Sequence, residues 1–330
     1  MMKRSVAALF ALVGLTALSC GAGAAPTDPS NPLSGLQFYV DPESSAANQV
    51  RQWEHAGRAA DANALRRIAE APNALWVTGD PTAVEQEVRG RMRAAAGKQT
   101  AVIIVAYNIP DRDCGSYSAG GAPDAATYRT WVTNLARGLG DDRAVVILEP
   151  DALSHVIDGC LQGAPADERF ALLAGAVETL AAKPKTTVYL DAGNPSWITD
   201  TAAVVEALRR AGGHEAAGFA LNVANFNTTD ATVTYGRALS SGLGGAHFVI
   251  DTSRNGRGPY PDPQVNGAPS WCNPPGRALG YPPTTQTGRH GVDAFLWVKE
   301  PGDSDGSCRP GEPAAGQWWP DYALTLTQTP

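Results

Sequence analysis

Short apolar runs alternate with longer amphipathic stretches along most of the chain. The runs are rich in Val, Ile and Leu and predict strands, whereas the Ala-rich stretches repeat apolar positions at helical spacing. Strands that alternate with helices pair in parallel through crossover connections. The predicted strands cover residues 36–40, 75–77, 100–107, 144–148, 186–190, 218–223, 246–250 and 294–298. The predicted helices cover residues 45–57, 83–95, 124–139, 165–182, 199–211 and 230–239.

The number of predicted strands indicates a curled or closed sheet. Seven or eight parallel strands in roughly 300 residues fit one barrel domain. We therefore predict the α/β class and a single-domain distorted (β/α) barrel, with its active site where the carboxyl ends of the strands open. Residues 251–293 break the alternation and are rich in Pro, Gly, Asn and Arg, so we expect a long ordered excursion there.

The N-terminus has the layout of a secretory signal peptide. Lys3 and Arg4 precede an apolar run at 5–18, and an A-x-A arrangement ends at Ala24, so we expect a secreted, extracellular protein. The context of Cys20 weakly resembles a lipoprotein cleavage site, which makes a lipid anchor the less favoured alternative. The resulting division is a signal peptide at 1–24, a lead-in at 25–35 and one folded domain at 36–330.

Composition and charge exclude two classes of partner. Without Lys3 and Arg4, 24 basic residues remain against 33 acidic ones, and the formal net charge changes from −7 to −9. An acidic chain without a basic stripe does not neutralise a phosphate backbone, so no nucleic acid partner is expected. No later apolar run reaches the roughly 18 residues of a membrane span. We expect a soluble monomer.

The cysteines beyond the signal region form an even set, which predicts two disulfides with three possible connectivities in an exported chain. They are Cys114, Cys160, Cys272 and Cys308. None of these cysteines belongs to a C-x-x-C pair, and the five His residues lack the spacing of metal ligands. The His residues are therefore interpreted as structural, and no metal site is expected.

Acidic residues recur where predicted strands end, and in a parallel barrel these ends open on one face. Such acids without metal-ligand spacing favour acid–base chemistry on a neutral substrate. Glycoside cleavage needs this set, because one carboxylic acid protonates the leaving oxygen while other carboxylates keep its pKa high and steer water. The acids are Asp41, Asp113, Glu149, Asp151, Asp191, Asp251 and Asp305. For Asp41 and Asp251, a helix cap or a loop hydrogen bond is an equally good interpretation.

Two stretches carry a family resemblance. Residues 105–115 read VAYNIPDRDCG and continue to Gly121, and residues 147–153 read ILEPDAL. Both resemble the signatures of glycoside hydrolase family 6, the inverting cellulases, and they stand in the family's order. The resemblance extends from about residue 36 to the C-terminus. Further family-like blocks lie at 38–40, 190–193, 218–226, 248–256, 271–274 and 297–299.

The resemblance implies a β-1,4-glucan substrate such as cellulose, an inverting mechanism and no cofactor. By position, Asp151 would be the general acid, and Asp113 would raise the pKa of Asp151 and help to organise water. Tyr107 would press on the sugar at the cleavage point. Asp305 would be the catalytic base or a stabilising carboxylate, and the sequence leaves that choice open.

The resemblance also implies substrate contacts and a disulfide pattern. Trp76 and Trp271 would stack on glycone rings and Trp197 on an aglycone ring, since sugar rings present apolar faces. Sugar hydroxyls would be held by Asp191, Lys299 and Asp303, and the predicted substrate-binding set also includes Asn194 and Asn222. The disulfides would pair Cys114 with Cys160 and Cys272 with Cys308.

The chain departs from the family pattern at three places. Asn194 stands where the family commonly has His after Asp-Ala-Gly, and Asp303 replaces a common Glu two residues before Asp305. Many relatives place a water-holding Ser where Ala119 stands, with Ser118 just before it. The change at Asn194 affects binding of the leaving part of the glucan, the change at Asp303 affects one hydrogen bond to a sugar hydroxyl, and the change at Ala119 affects the positioning of water.

We predict an endo-acting cellulase, which hydrolyses internal β-1,4 bonds, and we weigh three alternatives against it. An exo-acting cellobiohydrolase would need long loops that roof the cleft, whereas the intervals 191–219 and 272–308 are compact. A non-catalytic glucan-binding protein would need a lost acid, but both signature acids are present. Residues 302–306 fit the G-x-S-x-G motif of serine hydrolases, yet every His precedes Ser304, and in that fold the catalytic His follows the Ser.

Overall fold

The computed structural model describes residues 30–328. The predicted signal peptide at 1–24 and Cys20 lie outside the described residues. Within residues 30–328, no helix is both long and apolar enough to cross a membrane.

One sheet of seven parallel strands organises the described part of the chain. Each strand of this sheet pairs with the one that follows it within the sheet, and a helix connects every pair except the last, whose connection contains a separate hairpin. The strands of this sheet are β1 (Leu75–Val77), β2 (Val102–Ala106), β3 (Ala144–Leu148), β4 (Thr186–Asp191), β5 (Gly218–Leu221), β6 (His247–Asp251) and β9 (Val292–Leu296). A small antiparallel hairpin of β7 (Gln264–Val265) and β8 (Ala268–Pro269) lies within the predicted excursion.

The helices lie outside the sheet, where most of them pack on its outer face, and the first two and the last form a separate apolar cluster with Trp297. They are α1 (Ser45–His55), α2 (Ala59–Ala69), α3 (Pro81–Ala96), α4 (Ala125–Leu139), α5 (Ser154–Ile157), α6 (Ala164–Ala181), α7 (Thr201–Arg210), α8 (Thr229–Gly242) and α9 (Pro320–Thr327). Asp80, Asp124 and Asp200 accept backbone N–H groups at the starts of α3, α4 and α7. These caps satisfy donors that the first helical turn leaves unpaired.

The sheet curls until its two edge strands approach each other. Successive strand residues point alternately inward and toward the helices, and both sets are buried. Across the gap between β1 and β9, the Ala74 N–H donates to the Trp297 carbonyl at 3.2 Å, and the Trp76 indole donates to the Val298 carbonyl at 2.8 Å. The predicted distorted α/β barrel is confirmed, as a nearly closed sheet of seven strands.

The structure differs from the predicted secondary structure at one predicted strand and at three helices. Residues 36–40 form no strand, and only Phe38 makes a bridge, with Ala101 ahead of β2. The apolar pattern arises because Leu36 and Phe38 pack against the inner core. Helices α2, α5 and α9 were not predicted, since all three begin without a side-chain cap and α5 has only four residues.

Candidate active site

The loops that follow the strands bring the predicted acids into two groups. The acid cluster consists of Asp113, Asp151, His155 and Asp191, and the arginine cluster consists of Arg254, Asn273, Lys299, Asp303 and Asp305. Side-chain ligand atoms of Asp113, Asp151 and His155 all lie within 4.8 Å of one another. They are close enough to share a cation, but close carboxylates are equally suited to holding a proton, and no second feature of the site points to a metal ion.

A tight loop after β2 positions Asp113. The φ angle of Asp113 is 56°, and that of Cys114 is 48°. The Ser118 backbone N–H donates to Asp113 Oδ2 at 2.6 Å. The Arg112 guanidinium donates to the carbonyls of Tyr107 and Ser118, each at 2.8 Å. The loop therefore folds back on itself and presents the Asp113 carboxylate in one orientation.

Two buried side chains, Glu149 and Arg169, join this loop to the loop after β3. The Glu149 carboxylate accepts the Asn108 N–H at 3.0 Å. The Arg169 guanidinium donates to the Pro110 carbonyl at 2.5 Å and to the Ala152 carbonyl at 3.3 Å. Glu149 and Arg169 satisfy backbone groups of both loops, and they thereby fix the spacing between the two signature acids.

Both disulfides have the pairing that the resemblance implies. Cys114 is bonded to Cys160, and Cys272 is bonded to Cys308, with Cα atoms 6.5 Å apart in each case. The first crosslink ties the loop of Asp113 to the chain beyond α5, and the second ties together two loops of the arginine cluster. Each crosslink thus restrains loops that carry site residues.

Asp151 and Asp191 share one environment. The N–H groups of Asp151 and Gly193 donate to Asp191 Oδ1 at 3.0 and 3.1 Å, whereas Asp191 Oδ2 is buried without a hydrogen-bond partner among residues 30–328. Burial raises the pKa of Asp151 to about 6; the charge of His155 opposes this shift and that of Asp113 adds to it. Burial and the Asp151 charge also raise the pKa of Asp191. Asp151 is only partly buried, so it can hold a proton where a substrate can reach it.

Asp305, unlike Asp151, is held in its ionised state. Arg254 donates to both of its carboxylate oxygens at 2.9 Å, and the Asn273 N–H donates to Oδ2 at 3.0 Å. Lys299 Nζ lies 3.7 Å from Asp305 Oδ1. Burial raises the pKa of Asp305, but the charges of Arg254 and Lys299 outweigh it and lower the pKa below its ordinary value. Asp305 is therefore a fixed, ionised carboxylate.

Two further acids that precede Asp305, Glu300 and Asp303, are partly buried. Burial raises the pKa of Asp303 to about 6, although the charges of Lys299 and Arg254 act against this shift. Burial and the Asp303 charge raise the pKa of Glu300 to about 8. Lys299 Nζ donates to a backbone carbonyl, that of Ser304, at 2.9 Å. Asp303 and Lys299 thus lie beside Asp305.

Aromatic side chains flank the two clusters. The rings of Trp76 and Tyr107 pack edge to face with centroids 5.2 Å apart. On the loop of Asp113, Tyr117 packs edge to face with Trp271, with centroids 5.8 Å apart. The exposed fractions are 43% for Tyr117 and 45% for Trp271. The loop after β2 therefore reaches the segment that carries Trp271, through two rings that remain open to solvent.

The predicted binding residues Asn194 and Asn222 use their amides within the protein. Asn194 Oδ1 accepts from Asn227 Nδ2 at 3.0 Å. Asn222 is fully buried; its Nδ2 donates to the Asp251 carbonyl at 2.9 Å, and its Oδ1 accepts the Asn227 N–H at 3.1 Å. The Asn222 amide thus holds the loop after β5, and a role of Asn222 in substrate binding stays a prediction. Trp197, by contrast, is partly exposed beside the acid cluster.

Asp251 and Asp41 have the loop-bonding roles that were weighed against catalysis. Asp251 Oδ2 accepts the Ala224 N–H at 2.9 Å and the Lys299 N–H at 3.1 Å, so it joins the loops after β5 and β9. Asp41 Oδ1 accepts the Glu43 N–H of its own loop at 3.0 Å, and Asp41 Oδ2 forms an ion pair with Arg91 at 2.6 Å. Neither acid belongs to the two clusters.

The G-x-S-x-G motif does not present a nucleophile. Ser304 is fully buried, and its Oγ donates to the Pro313 carbonyl at 2.9 Å. The same hydroxyl accepts from Asn273 Nδ2 at 3.2 Å. Ser304 supports the loop of Asp305, which agrees with the rejection of a serine hydrolase.

Sequence reasoning did not single out several residues of the site. Arg254 and Asn273 lie inside family-like blocks, but the sequence does not identify their partners. A buried Arg needs a carboxylate, which is the signal that could have linked Arg254 to a nearby acid. His155 follows Asp151 by four residues, a spacing that places both on one side of a helical turn. For Tyr117, the sequence gives no indication of a role in the site beyond its position in the first signature.

Comparison with known proteins supplies a family. The family described as "Glycosyl hydrolases family 6" matches residues 33–330. "Endoglucanase 1" of Streptomyces halstedii is 42% identical over 98% of this chain and 99% of its own. The endoglucanase Cel6 of Mycobacterium tuberculosis, solved with methyl-cellobiosyl-4-deoxy-4-thio-β-D-cellobioside, is 43% identical, with a TM-score of 0.83 over 90% of this chain and 98% of that one. "1,4-beta-D-glucan cellobiohydrolase C" of Emericella nidulans is 28% identical over 92% of this chain and 79% of its own.

Proposed function

The chain belongs to glycosyl hydrolases family 6, and from this premise we propose that it is an inverting endo-1,4-β-glucanase that cleaves internal bonds of cellulose or a related β-glucan. The observation that carries the proposal is the acid cluster. There Asp151, with its pKa raised to about 6, lies beside Asp113 at the carboxyl ends of the strands. A general acid needs a pKa near the working pH and a position that the leaving oxygen can reach.

In the proposed reaction, Asp151 donates its proton to the glycosidic oxygen as the bond to the anomeric carbon breaks. Water attacks that carbon from the opposite face and passes one of its protons through neighbouring water to the solvent, and the configuration inverts. Asp113 helps to organise this water from the loop where the Ser118 N–H orients its carboxylate. Asp113 also keeps the pKa of Asp151 high, since a nearby negative charge disfavours ionisation.

Asp305 is assigned the stabilising role. Arg254 and Asn273 occupy its oxygens, and its lowered pKa makes it a weak proton acceptor. A fixed carboxylate can stabilise the positive charge that develops on the sugar ring in the transition state. Of the two roles that the resemblance leaves open for Asp305, its contacts favour the stabilising one.

Aromatic and polar side chains would hold the sugar rings. Trp76 and Trp271 are proposed as glycone platforms, Trp197 as the aglycone platform, and Tyr107 as the ring that presses on the sugar at the cleavage point. Asp191, Lys299 and Asp303 are proposed to bind sugar hydroxyls.

Endo action is proposed over exo action. The relatives with 42% and 43% identity are named endoglucanases, whereas the named cellobiohydrolase is 28% identical. The intervals 191–219 and 272–308 are compact and lack the long loops that would roof the cleft of an exo-acting enzyme, and the rings of Tyr117 and Trp271 remain exposed. The proposed setting is extracellular, which fits the two disulfides and the N-terminal sequence pattern.

Endo action predicts a rapid loss of viscosity. Cuts within long chains shorten them strongly for each new reducing end, so carboxymethyl cellulose should lose most of its viscosity while few reducing ends have formed. Viscometry beside a reducing-sugar assay measures this ratio. Reducing ends without viscosity loss would indicate exo action, and binding without reducing ends would indicate a non-catalytic glucan-binding protein.

Inversion predicts the α-anomer as the first product from a β-glucan. Inverting enzymes leave about 6.5–9.5 Å between their acid and base carboxyls for the attacking water. Proton NMR of cellohexaose during the first minutes of hydrolysis resolves the anomeric signals before mutarotation mixes them. If the β-anomer accumulates first, the enzyme retains configuration, and the proposed mechanism is wrong.

The roles of Asp151 and Asp113 predict different mutant behaviour. Asp151→Ala should lower the rate on cellulose about 10²–10⁴-fold but largely spare a dinitrophenyl cellobioside, whose leaving group departs without a proton. Asp113→Ala should slow both substrates and move the basic limb of the pH–rate profile to lower pH, because the pKa of Asp151 falls. Steady-state rates on both substrates measure this.

The exposed Asp167→Ala variant is the control for these substitutions, and circular dichroism checks that each variant is folded. Equal losses on the two substrates for Asp151→Ala would remove Asp151 from the role of general acid. An unmoved basic limb for Asp113→Ala would show that Asp113 does not control the pKa of Asp151.

A further inference from the structure

His155 lies inside the acid cluster, although its sequence context gave it only a structural interpretation. It is the second residue of α5, and its backbone N–H donates to the Asp151 carbonyl at 2.9 Å. This helical turn places the imidazole over the acid that precedes it by four residues. The position of His155 is therefore fixed by the same short segment that carries Asp151.

The ring of His155 is surrounded by carboxylates from several loops. Its Nε2 lies 3.8 Å from Asp113 Oδ1, and its Nδ1 lies 3.5 Å from Asp158 Oδ2. The charges of Asp151 and Asp191 also act on it. Both ring nitrogens are buried and lack a hydrogen-bond partner among the described residues. A neutral ring would leave two polar atoms without compensation, whereas an imidazolium is attracted to every one of these acids.

The ring also touches the leaving side of the cleft. The His155 and Trp197 rings pack edge to face with centroids 4.9 Å apart. The Trp197 indole N–H donates to Asp158 Oδ2 at 3.2 Å, the same oxygen that faces His155 Nδ1. His155, Asp158 and Trp197 thus form one contact group that continues from the proposed acid to the proposed aglycone platform.

We propose that His155 is a positioning residue of the reaction: as an imidazolium it fixes the Asp113 carboxylate beside Asp151 and limits how far the neighbouring carboxylates suppress ionisation of Asp151. The inference rests on the proposed function. Burial lowers the pKa of His155, but Asp113, Asp151 and Asp158 together raise it above its ordinary value. The ring therefore carries its charge in the pH range where Asp151 releases its proton.

Two variants test this role through the pH profile. His155→Phe keeps a ring against Trp197, and His155→Gln keeps polar atoms, but both remove the charge. Each should move the basic limb of kcat/KM to higher pH by about one unit, since an opposite charge at this range lowers a carboxyl pKa by about 1–3 units. The exposed His214→Gln variant should leave the profile unchanged. If the wild type is active and the basic limb stays in place in both variants, the proposal is wrong.

A second measurement does not depend on activity. The imidazole signals of His155 can be titrated by NMR in the unliganded protein and assigned by their loss in His155→Gln. In Asp113→Asn, the pKa of His155 should fall by about one unit. An unchanged titration would overturn the pairing of His155 with Asp113. A wild type without hydrolytic activity but with this coupling would refute the proposed function and leave the contact between the two residues established.

Discussion

The cost of burying carboxylates at the open end of the sheet determines how the site works. A carboxylate that loses its water must gain compensating contacts or take up a proton. Glu149 and Asp251 gain backbone N–H groups, and in doing so they join the loops of the site. Asp305 gains a two-pronged ion pair with Arg254. Asp151 lies among further acids, and burial raises its pKa.

These different environments give one residue type two chemical states. Asp151 can hold a proton in weakly acidic solution, whereas Asp305 stays ionised. A reaction that protonates a leaving oxygen while positive charge develops on the sugar needs both states at the same pH. The protein obtains them by placing a guanidinium against Asp305 and by burying Asp151 beside Asp113. The disulfides and the Glu149–Arg169 pair keep the loops in the arrangement that maintains this difference.

The sequence predicted the regular part of the molecule better than its loops. Strand runs of Val and Ile buried on both faces identify the parallel sheet, because both the inner core and the helices need apolar side chains. Helix α2 was not predicted, because its start carries no side-chain cap. The segment around Leu36 was predicted as a strand, but its apolar side chains pack against the inner core without forming one. The signature motifs located Asp113 and Asp151. The role of Arg254 depends on a partner 51 residues away, and the burial of Asn222 depends on the loop after β5, so local patterns could not reveal either.

The proposed reaction requires Asp151 to be protonated at the pH where the enzyme works, and direct titration of its carboxyl group tests this requirement. Carbon-13 NMR of the protein labelled in its aspartate side chains would follow each carboxyl signal with pH, and the Asp151 signal would be assigned by its absence in Asp151→Asn. We expect a midpoint near the pKa of about 6, while the Asp305 signal remains that of a carboxylate across the same range. An Asp151 signal that titrates near the ordinary Asp pKa of about 3.9 would contradict the role of Asp151 as the general acid.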